Sequence, residues 1–342
     1  MNNRIIFIAV LLIVALSSCN NSPKPRHIPT GLALSGGGAK CAAEIGVLEV
    51  IDSLNLEIDY IAGSSMGAVI GGLYAAGYSG KEIRKMWFEE DWLRVLKTDS
   101  KAEKNNLYFV DLVNGDEFEE QLRYKLNHAP KNGHRNKQIM FACTATCIVD
   151  KANIEEECID GKGKWKDVDW AKAIRASMTY PVPVLGNLAG YAPVEINGMR
   201  LVDGGLMNNY PVDVVKSMGA QKIIAVDLNM RNYISKPNVS IEALDMIRSL
   251  FPRFACVEDL ADFQWLSNWF MTRPDADRLE DNRSMKGVIR IRPVLNRDNL
   301  NTFDFSLEES EEMLFQGRFA AKKKLNPKKM SPRKKKREHR EK

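Results

Sequence analysis

The chain alternates short apolar runs with segments in which apolar residues recur at helical spacing. Gly31–Ser35 and Ile58–Ala62 are apolar runs, and each leads into a glycine-containing turn. After these turns, Ala39–Leu54 has apolar residues at helical spacing and Ala68–Ala76 is rich in small residues, so we predict a helix in each. Two successive strand–turn–helix units predict a parallel sheet with crossover helices.

The alternation continues along the rest of the chain. On the same grounds we predict strands at Gln138–Val149, Met199–Val202, Lys222–Leu228 and Val288–Val294, and helices at Ala171–Met178, at residues 241–270 and from about Ser306. Strands that alternate with helices in this way predict an α/β fold, a three-layer α/β/α domain with a mainly parallel central sheet.

A targeting segment precedes these elements. Ile5–Leu16 is an almost unbroken apolar run, shorter than the roughly 20 residues that a membrane span needs, so we interpret residues 1–18 as a signal peptide. Leu16–Cys19 resembles the lipobox of bacterial lipoproteins. We therefore expect cleavage before Cys19, acylation of Cys19 and anchoring to an envelope membrane facing the periplasm. The alternative is a plain secretory signal, or a short anchor, with an incidental cysteine.

Composition and charge narrow the class of protein. Of the 342 residues, 44% are hydrophobic and 27% charged, which indicates a folded globular domain. The net charge of +5 comes from the C-terminal end, because residues 321–342 contain twelve Lys or Arg and two Glu, and the remainder carries −5. We expect a basic, disordered tail on a mildly acidic body and no nucleic-acid-binding surface. The five cysteines other than Cys19 are scattered and predict buried free thiols rather than a disulfide framework or a metal site.

The first motif that carries chemistry is Gly63-Ser64-Ser65-Met66-Gly67, a G-x-S-x-G sequence between a predicted strand and a predicted helix. Attack on an ester needs a hydroxyl that projects from a tight turn, and flanking glycines permit that geometry. The N-terminus of the following helix favours a developing oxyanion. The structural alternative is a small-residue turn that lets the helix pack closely on the sheet.

The second motif, Gly36-Gly37-Gly38-Ala39-Lys40, follows the first strand. Backbone N–H groups of adjacent glycines at a helix N-terminus can hold an anion, either a nucleotide phosphate or the oxyanion of acyl transfer. A phosphate-binding P-loop is absent, and Cys41 stands where a dinucleotide fingerprint needs its last glycine. The oxyanion interpretation fits a nearby nucleophile better.

The third motif is Asp203-Gly204-Gly205 at the end of a predicted strand. Its carboxylate either faces the same crevice as the other two turns or caps its own loop as an Asx turn. The histidines lie in the tether (His27), in a polar insertion (His128, His134) and in the tail (His339), and none follows a strand. A Ser-His-Asp triad is therefore disfavoured, whereas a buried carboxylate with a raised pKa can take the serine proton directly.

In this order, the three motifs resemble the signatures of the patatin-like phospholipase family. Arg175–Pro181 and Asn208–Pro211 resemble two further segments of that family. The resemblance implies Ser65 as nucleophile and Asp203 as general base. It also implies an oxyanion hole and supporting motif residues, namely Gly36, Gly37 and Gly38 for the hole, and Lys40, Gly63, Gly67, Gly204 and Gly205 for support.

The resemblance covers about residues 30–230 and divides the chain. We expect a signal peptide (1–18), a tether (19–29), a catalytic domain (30–230), a C-terminal extension packed on it (231–320) and the basic tail (321–342). It implies a serine acyl-ester hydrolase that acts on phospholipids or lysophospholipids at a membrane, without metal or organic cofactor. Two rival functions are a His-dependent esterase and a non-catalytic lipoprotein that binds lipid or a protein partner.

Position 41 departs from the family pattern. The glycine-rich motif of the family usually ends in glycine, and this chain has Cys41 there. We expect position 41 to lie inside the following helix rather than at the turn. The substitution should then tighten packing without loss of catalysis.

Overall fold

The computed structural model describes residues 27–89, 115–130, 138–149, 154–179, 193–228, 275–295 and 307–325. The strands are β1 (Thr30–Leu34), β2 (Tyr60–Gly63), β3 (Met140–Ile148), β4 (Ile154–Ile159), β5 (Val194–Ile196), β6 (Met199–Asp203), β7 (Lys222–Val226) and β8 (Val288–Ile291). The helices are α1 (Ala42–Ser53), α2 (Met66–Ala76), α3 (Gly80–Glu89), α4 (Asp116–Asn127), α5 (Trp170–Met178), α6 (Val212–Ser217), α7 (Asp275–Ser284) and α8 (Leu307–Leu325). The predicted signal peptide, Cys19, most of the tether, the helix at 241–270 and the tail beyond Leu325 lie outside these residues.

The strands form one sheet in the order β5-β6-β3-β2-β1-β7-β8, with β4 paired to β3. Strands β8, β7, β1, β2 and β3 are parallel to their neighbours in that run. Strands β4 and β6 are antiparallel to β3, and β5 is antiparallel to β6. The predicted mainly parallel sheet is confirmed, and β4 and β5 are additions that the hydrophobic pattern did not predict.

Side chains of alternate strand residues enter two separate cores. Leu32 and Leu34 of β1 pack with α1, α2, α5 and α8 in the larger core. Ala33 of β1 faces the other way and packs with Ala62, Ala225 and the valines of α6. Because successive side chains of a strand point to opposite faces, helices cover both sides of the sheet. The predicted three-layer α/β/α class is confirmed.

Strand β3 brings an antiparallel strand to the edge of the sheet at which β1 and β2 end, here called the carboxyl edge. Gly63, the last residue of β2, pairs with Cys143, but β3 continues to Ile148 beyond that level. Strand β6 runs back along this overhang, and its last residue Asp203 pairs with Ala145. Asp203 therefore reaches the carboxyl edge because β3 overshoots it, and not as the end of a parallel strand, as the sequence suggested.

The last helix corrects the predicted start of the basic tail. Helix α8 continues to Leu325, five residues past position 320, because Ala320 and Ala321 are buried and extend its apolar face beyond Met313 and Leu314. The charged side chains that follow Ala321 are exposed on the last turn of the same helix.

The cysteines within the described ranges form no disulfide. Cys41, Cys143 and Cys147 are buried and Cys158 is partly exposed, and all four are free, as the sequence predicted. No helix within the described ranges is both long and apolar enough to span a bilayer.

Candidate active site

Ser65 lies on a strained turn between β2 and α2. Its backbone has φ 53° and ψ −130°, a left-handed conformation that destabilises a non-glycine residue by about 1–3 kcal/mol. The flanking glycines allow close packing: a Cβ atom on Gly63 would lie 2.5 Å from Ala68 Cα, and one on Gly67 would lie 2.6 Å from the Ser35 carbonyl oxygen. The turn holds the Ser65 hydroxyl at the carboxyl edge, partly exposed.

Asp203 fills both of the roles that its motif left open. Its Oδ2 accepts a hydrogen bond of 2.6 Å from Ser65 Oγ, and its Oδ1 accepts one of 2.7 Å from the Gly205 N–H. One carboxylate oxygen thus forms the Asx turn while the other binds the serine. Only 4% of Asp203 is exposed, and this burial raises the pKa of its carboxyl to about 6 against the opposing effect of the two hydrogen bonds.

The end of α5 holds both members of this pair in place. The Ser65 N–H donates to Ser177 Oγ at 2.9 Å, and the Asp203 N–H donates to the Thr179 carbonyl oxygen at 2.8 Å. Ser177 is fully buried. The sequence marked this segment by its resemblance but assigned no role to either residue, because nothing local to the segment indicates contacts with turns more than 20 residues away.

Helix α5 is itself firmly positioned. Asp169 caps its N-terminus by accepting from the Lys172 N–H at 2.9 Å. Arg175, which is largely buried, forms ion pairs with Asp116 at 3.0 Å and Glu119 at 3.2 Å on α4. These contacts fix the last turn of α5, and through it the backbone of the Ser65 turn.

Strand β3 supports the Asp203 turn from below. Thr146 Oγ1 donates to the Asp203 carbonyl oxygen at 2.8 Å, and Thr144 Oγ1 donates to the Asn208 carbonyl oxygen at 3.2 Å. A Cβ atom on Gly204 would lie 2.3 Å from the Thr144 carbonyl oxygen. The predicted supporting role of Gly204 therefore has a specific cause, which is the close approach of the turn to β3.

The three glycines of the glycine-rich turn have different roles. The Gly36 N–H donates to Asn209 Oδ1 at 3.1 Å, so it is not a free donor as the sequence prediction required. Gly36 instead sets a spacing, because a Cβ atom there would lie 2.8 Å from Ser65 Cβ. The N–H groups of Gly37 and Gly38 have no acceptor within the described part of the chain. Gly38 also has φ 54°, a conformation that favours glycine.

The residues after the glycines form a short 3₁₀ turn, Gly38–Cys41, before α1 begins at Ala42. Cys41 thus ends the turn and does not lie inside the helix, which corrects the sequence prediction. Its φ of −66° suits any residue, so the backbone there does not need a glycine. Lys40 is half-buried in the same turn, and burial lowers the pKa of its ammonium group.

Cys41 and Glu44 form a second buried polar pair behind this turn. Both side chains are fully buried, and the Cys41 thiol donates to the Ser35 carbonyl oxygen at 3.6 Å. Neither carboxyl oxygen of Glu44 has a hydrogen-bond partner among the described residues. Burial raises the pKa of the Glu44 carboxyl, and that of the Cys41 thiol, well above their usual ranges and so favours the neutral form of both groups.

The two histidines that the structure describes lie away from Ser65. His27 Nε2 is 2.8 Å from Asp59 Oδ1, beside the amino ends of β1 and β2 and therefore at the opposite edge of the sheet. His128 is exposed at the end of α4, where its Nδ1 is 2.8 Å from the Tyr124 carbonyl oxygen. Neither is placed to act on Ser65, and His134 and His339 lie outside the described residues.

Comparison with known proteins gives matches over the same part of the chain. The family model described as "Patatin-like phospholipase" matches residues 32–216, more than half of the chain. Patatin-like phospholipase domain-containing protein 7 of Rattus norvegicus is 31% identical over 212 residues, which cover 59% of this chain and 14% of that protein. Lysophospholipase NTE1 of Saccharomyces cerevisiae is 27% identical over 290 residues, which cover 81% of this chain and 15% of that protein.

The chain thus spans only about a seventh of the length of these two relatives. Among solved structures, VipD from Legionella pneumophila matches with a TM-score of 0.42 and 14% identity, over 87% of this chain and 67% of that chain. Residues 32–216, which the family model matches, include all three of the motifs described above.

Proposed function

The chain belongs to the patatin-like phospholipase family, and from this premise we propose that it hydrolyses the acyl esters of phospholipids or lysophospholipids. In this proposal Ser65 is the nucleophile and Asp203 the general base. The amides of Gly37 and Gly38 supply the oxyanion hole, and Gly36 keeps that turn close to Ser65.

One observation carries the proposal: the 2.6 Å hydrogen bond from Ser65 Oγ to Asp203 Oδ2. A carboxylate with an ordinary pKa is a weak base, but burial raises the pKa of Asp203 to about 6, close to neutrality. Such a carboxylate is ionised at neutral pH and still attracts the serine proton. Ser65 and Asp203 are thus within hydrogen-bonding distance, and the pKa of Asp203 suits a general base at neutral pH.

The acylation step follows from this geometry. Asp203 Oδ2 takes the proton of Ser65 as Oγ attacks the carbonyl carbon of the ester. The carbonyl oxygen becomes an oxyanion, which the Gly37 and Gly38 amides stabilise by hydrogen bonds, together with the N-terminus of α2. When the tetrahedral intermediate collapses, the proton on Asp203 passes to the leaving alcohol and an acyl-Ser65 ester remains.

Deacylation repeats these steps with water as the nucleophile. Asp203 accepts a proton from the water as its oxygen attacks the acyl-serine, and the same amides stabilise the second oxyanion. Collapse releases the fatty acid, and Ser65 Oγ recovers its proton from Asp203. The chain's own residues account for every proton transfer in the cycle.

The substrate class is supported by the relatives rather than by a shape in the site. The rat and yeast relatives are named as a phospholipase-domain protein and a lysophospholipase. Lipid esters are therefore the proposed substrates. Acylation of Cys19, and with it a location on the periplasmic side of an envelope membrane, is a further part of the proposal that residues 16–19 alone support.

Release of fatty acid from lysophosphatidylcholine and from a soluble short-chain ester tests the proposal. We expect hydrolysis of both by the wild type and a loss of at least about 1000-fold in kcat/KM for Ser65→Ala. Ser64→Ala is the matched control, since Ser64 is the adjacent serine and its buried hydroxyl has no partner among the described residues. It should retain activity. Equal activity of wild type and Ser65→Ala on both substrates would contradict the proposal.

A further inference from the structure

The outer face of α8 exposes two large aromatic side chains. Phe315 is 55% exposed and Phe319 is 54% exposed. They are four residues apart and therefore lie one above the other on the same helix face. The last turn of α8 carries Lys322, Lys323 and Lys324, which are all exposed and have no carboxylate partner among the described residues. Lys322 and Lys323 continue the phenylalanine side of the helix, whereas Lys324 lies on the other side of the turn. We call the two phenylalanines and these three lysines the α8 face.

The charge distribution along α8 has an ordinary explanation, whereas its phenylalanines do not. Glu308 and Glu309 lie in the first turn and the three lysines in the last, an arrangement that the helix dipole favours. The dipole gives no reason to expose Phe315 and Phe319 on a helix whose other side already fills the core with Met313 and Leu314. Exposed aromatic rings next to unpaired lysines indicate a surface that meets an apolar and anionic partner.

The lysine end of α8 lies at the carboxyl edge of the sheet. Gly317 packs on the first turns of α1, where a Cβ atom would lie 1.8 Å from the Ala43 carbonyl oxygen. The Trp87 indole N–H on α3 donates to Ser310 Oγ at 3.1 Å and fixes the other end. Helix α8 therefore runs antiparallel to α1, and its last turns contact the Gly38–Cys41 turn beside the candidate active site.

A further exposed apolar residue lies near the carboxyl edge of the sheet. Val294, which is 75% exposed, follows the carboxyl end of β8, and β8 packs against α8. Strand β8 is two positions from β1 in the sheet, or about 10 Å. Val294 and the lysine end of α8 thus lie at the edge of the sheet that carries the proposed nucleophile.

We propose that the α8 face is a docking surface for an anionic phospholipid membrane, with Phe315 and Phe319 inserted at the headgroup level and the three lysines on acidic headgroups. The sequence after α8 adds further Lys and Arg at residues 328–342, which increases the charge complementarity. The inference rests on the proposed function in one respect, because it states how the site reaches lipid.

Site-specific photo-cross-linking tests where the membrane contacts the protein. The photoreactive residue p-benzoylphenylalanine replaces Phe319 in the full chain, which is mixed with vesicles of equal parts phosphatidylglycerol and phosphatidylcholine. The matched control places it at Tyr124, an aromatic residue of α4 that is 65% exposed. We expect lipid adducts from position 319 and few from position 124. Adducts only with the chain itself or with a second copy, or equal lipid adducts from both positions, would overturn the proposal.

Substitution of the lysines tests the choice of an anionic surface. The triple variant Lys322→Gln/Lys323→Gln/Lys324→Gln should reduce the lipid adduct from position 319 by roughly tenfold, since each lysine near an anionic surface contributes to binding. Lys81→Gln/Lys85→Gln, which neutralises two exposed lysines of α3, should leave the adduct unchanged. An unchanged yield in the triple variant, or equal yields on pure phosphatidylcholine vesicles, would contradict an anionic partner.

The docking and the hydrolysis can fail independently in these experiments. Cross-linking needs no catalysis, so Ser65→Ala with the photoreactive residue at 319 should give the wild-type yield of lipid adduct. Conversely, the triple lysine variant should hydrolyse the soluble short-chain ester at the wild-type rate. Loss of that rate would mean that the lysines act on the site itself and not on membrane contact.

Discussion

Two pairs of polar groups lie near the carboxyl edge of the sheet, and each combines a hydroxyl or a thiol with a buried carboxyl group. In the first, Ser65 donates to Asp203, which also accepts from the Gly205 amide. In the second, the carboxyl of Glu44 lies near the thiol of Cys41, and neither of its oxygens has a partner among the described residues. Burial raises the pKa of both carboxyl groups.

The difference between the pairs shows that a raised pKa does not by itself identify a base. The pKa of Asp203 is limited to about 6 by the hydrogen bonds it accepts, so the group is ionised at neutral pH. Burial has the dominant influence on Glu44 and raises the pKa of its carboxyl well above the usual range. Ser65 is also partly exposed on a strained turn, whereas Cys41 is fully buried with ordinary backbone angles. Access and backbone strain, more than burial of the carboxyl, distinguish the proposed catalytic pair.

Exchange of the nucleophilic atoms gives the largest difference that we expect between the two pairs. We expect Ser65→Cys to lower kcat/KM for a soluble ester by at least about 100-fold, because the longer C–S bond displaces the attacking atom in a closely fitted site. Cys41→Ser should change the rate by less than about threefold, since its hydroxyl can donate to the Ser35 carbonyl oxygen as the thiol does. Steady-state kinetics measures both variants, and equal losses would contradict a catalytic role for the Ser65–Asp203 pair alone.

The pH dependence of hydrolysis gives the next largest effect. Asp203 must be ionised to act as a base, so kcat/KM should be constant above its pKa of about 6 and fall roughly tenfold per pH unit below it. The rate at pH 4 should be about 100-fold below the plateau. Intrinsic fluorescence over the same range checks that the protein stays folded. A rate that is flat down to pH 4 would show that Asp203 is not the titrating base.

Removal of the group that positions Ser65 should have a smaller effect. Ser177→Ala leaves the buried Ser65 N–H without its acceptor and loosens the strained turn, so we expect kcat to fall by about tenfold. KM for a short ester should change little, because Ser177 does not face the substrate. Ser177→Thr, which keeps the hydroxyl, should recover part of the rate. No recovery by threonine, with an equal loss in stability, would indicate a packing role only.

The smallest effect on activity is expected at the second pair, where stability is the more informative measurement. Glu44→Gln should alter kcat/KM by less than about twofold, because burial favours the neutral carboxyl and the amide is similar in size. An unfolded glutamate has a pKa of about 4.3, so between that value and the raised pKa of folded Glu44 the folded wild type retains a proton that the unfolded chain releases. The free energy of unfolding of the wild type should therefore decrease with pH, by about 1.4 kcal/mol per unit relative to the variant.

Urea denaturation at a series of pH values above 5 measures this difference. Glu120→Gln, at an exposed glutamate of α4, is the control and should give a curve parallel to that of the wild type. Parallel curves for Glu44→Gln as well would show that Glu44 ionises in the folded protein, and the two pairs would then be alike.

The parts of the fold that the sequence predicted are those set by local pattern. Apolar runs located β1, β2, β3 and β7, because a strand buried on both faces is continuously hydrophobic. Strand β4 was missed since it contains three consecutive glutamates, and β5 because it has only three residues. Each pairs antiparallel with the strand next to it in the chain, β4 with β3 and β5 with β6, and neither has a periodic hydrophobic signal in its own residues.

The candidate site was predicted residue by residue but not in its connections. The motifs around Ser65 and Asp203 indicated their contact, which the structure places at 2.6 Å. The contacts of Ser177 and Asn209 join segments more than 100 residues apart in the chain. Only the folded structure shows that the Asn209 side chain accepts the hydrogen bond of the Gly36 N–H. The overshoot of β3, which returns Asp203 to the carboxyl edge, likewise depends on strand register and not on local composition.

The most direct test of the Ser65–Asp203 pair is the hydrolysis of a soluble ester by Asp203→Asn, measured beside its reaction with a fluorophosphonate that labels active serines. Asparagine keeps the size of the side chain and its Oδ1 can accept from the Gly205 N–H, but its amide nitrogen takes the place of Oδ2 and cannot take the serine proton. We expect kcat/KM to fall by at least about 1000-fold and labelling of Ser65 to slow by a comparable factor, with the fold intact. Activity within about tenfold of the wild type would contradict Asp203 as the base.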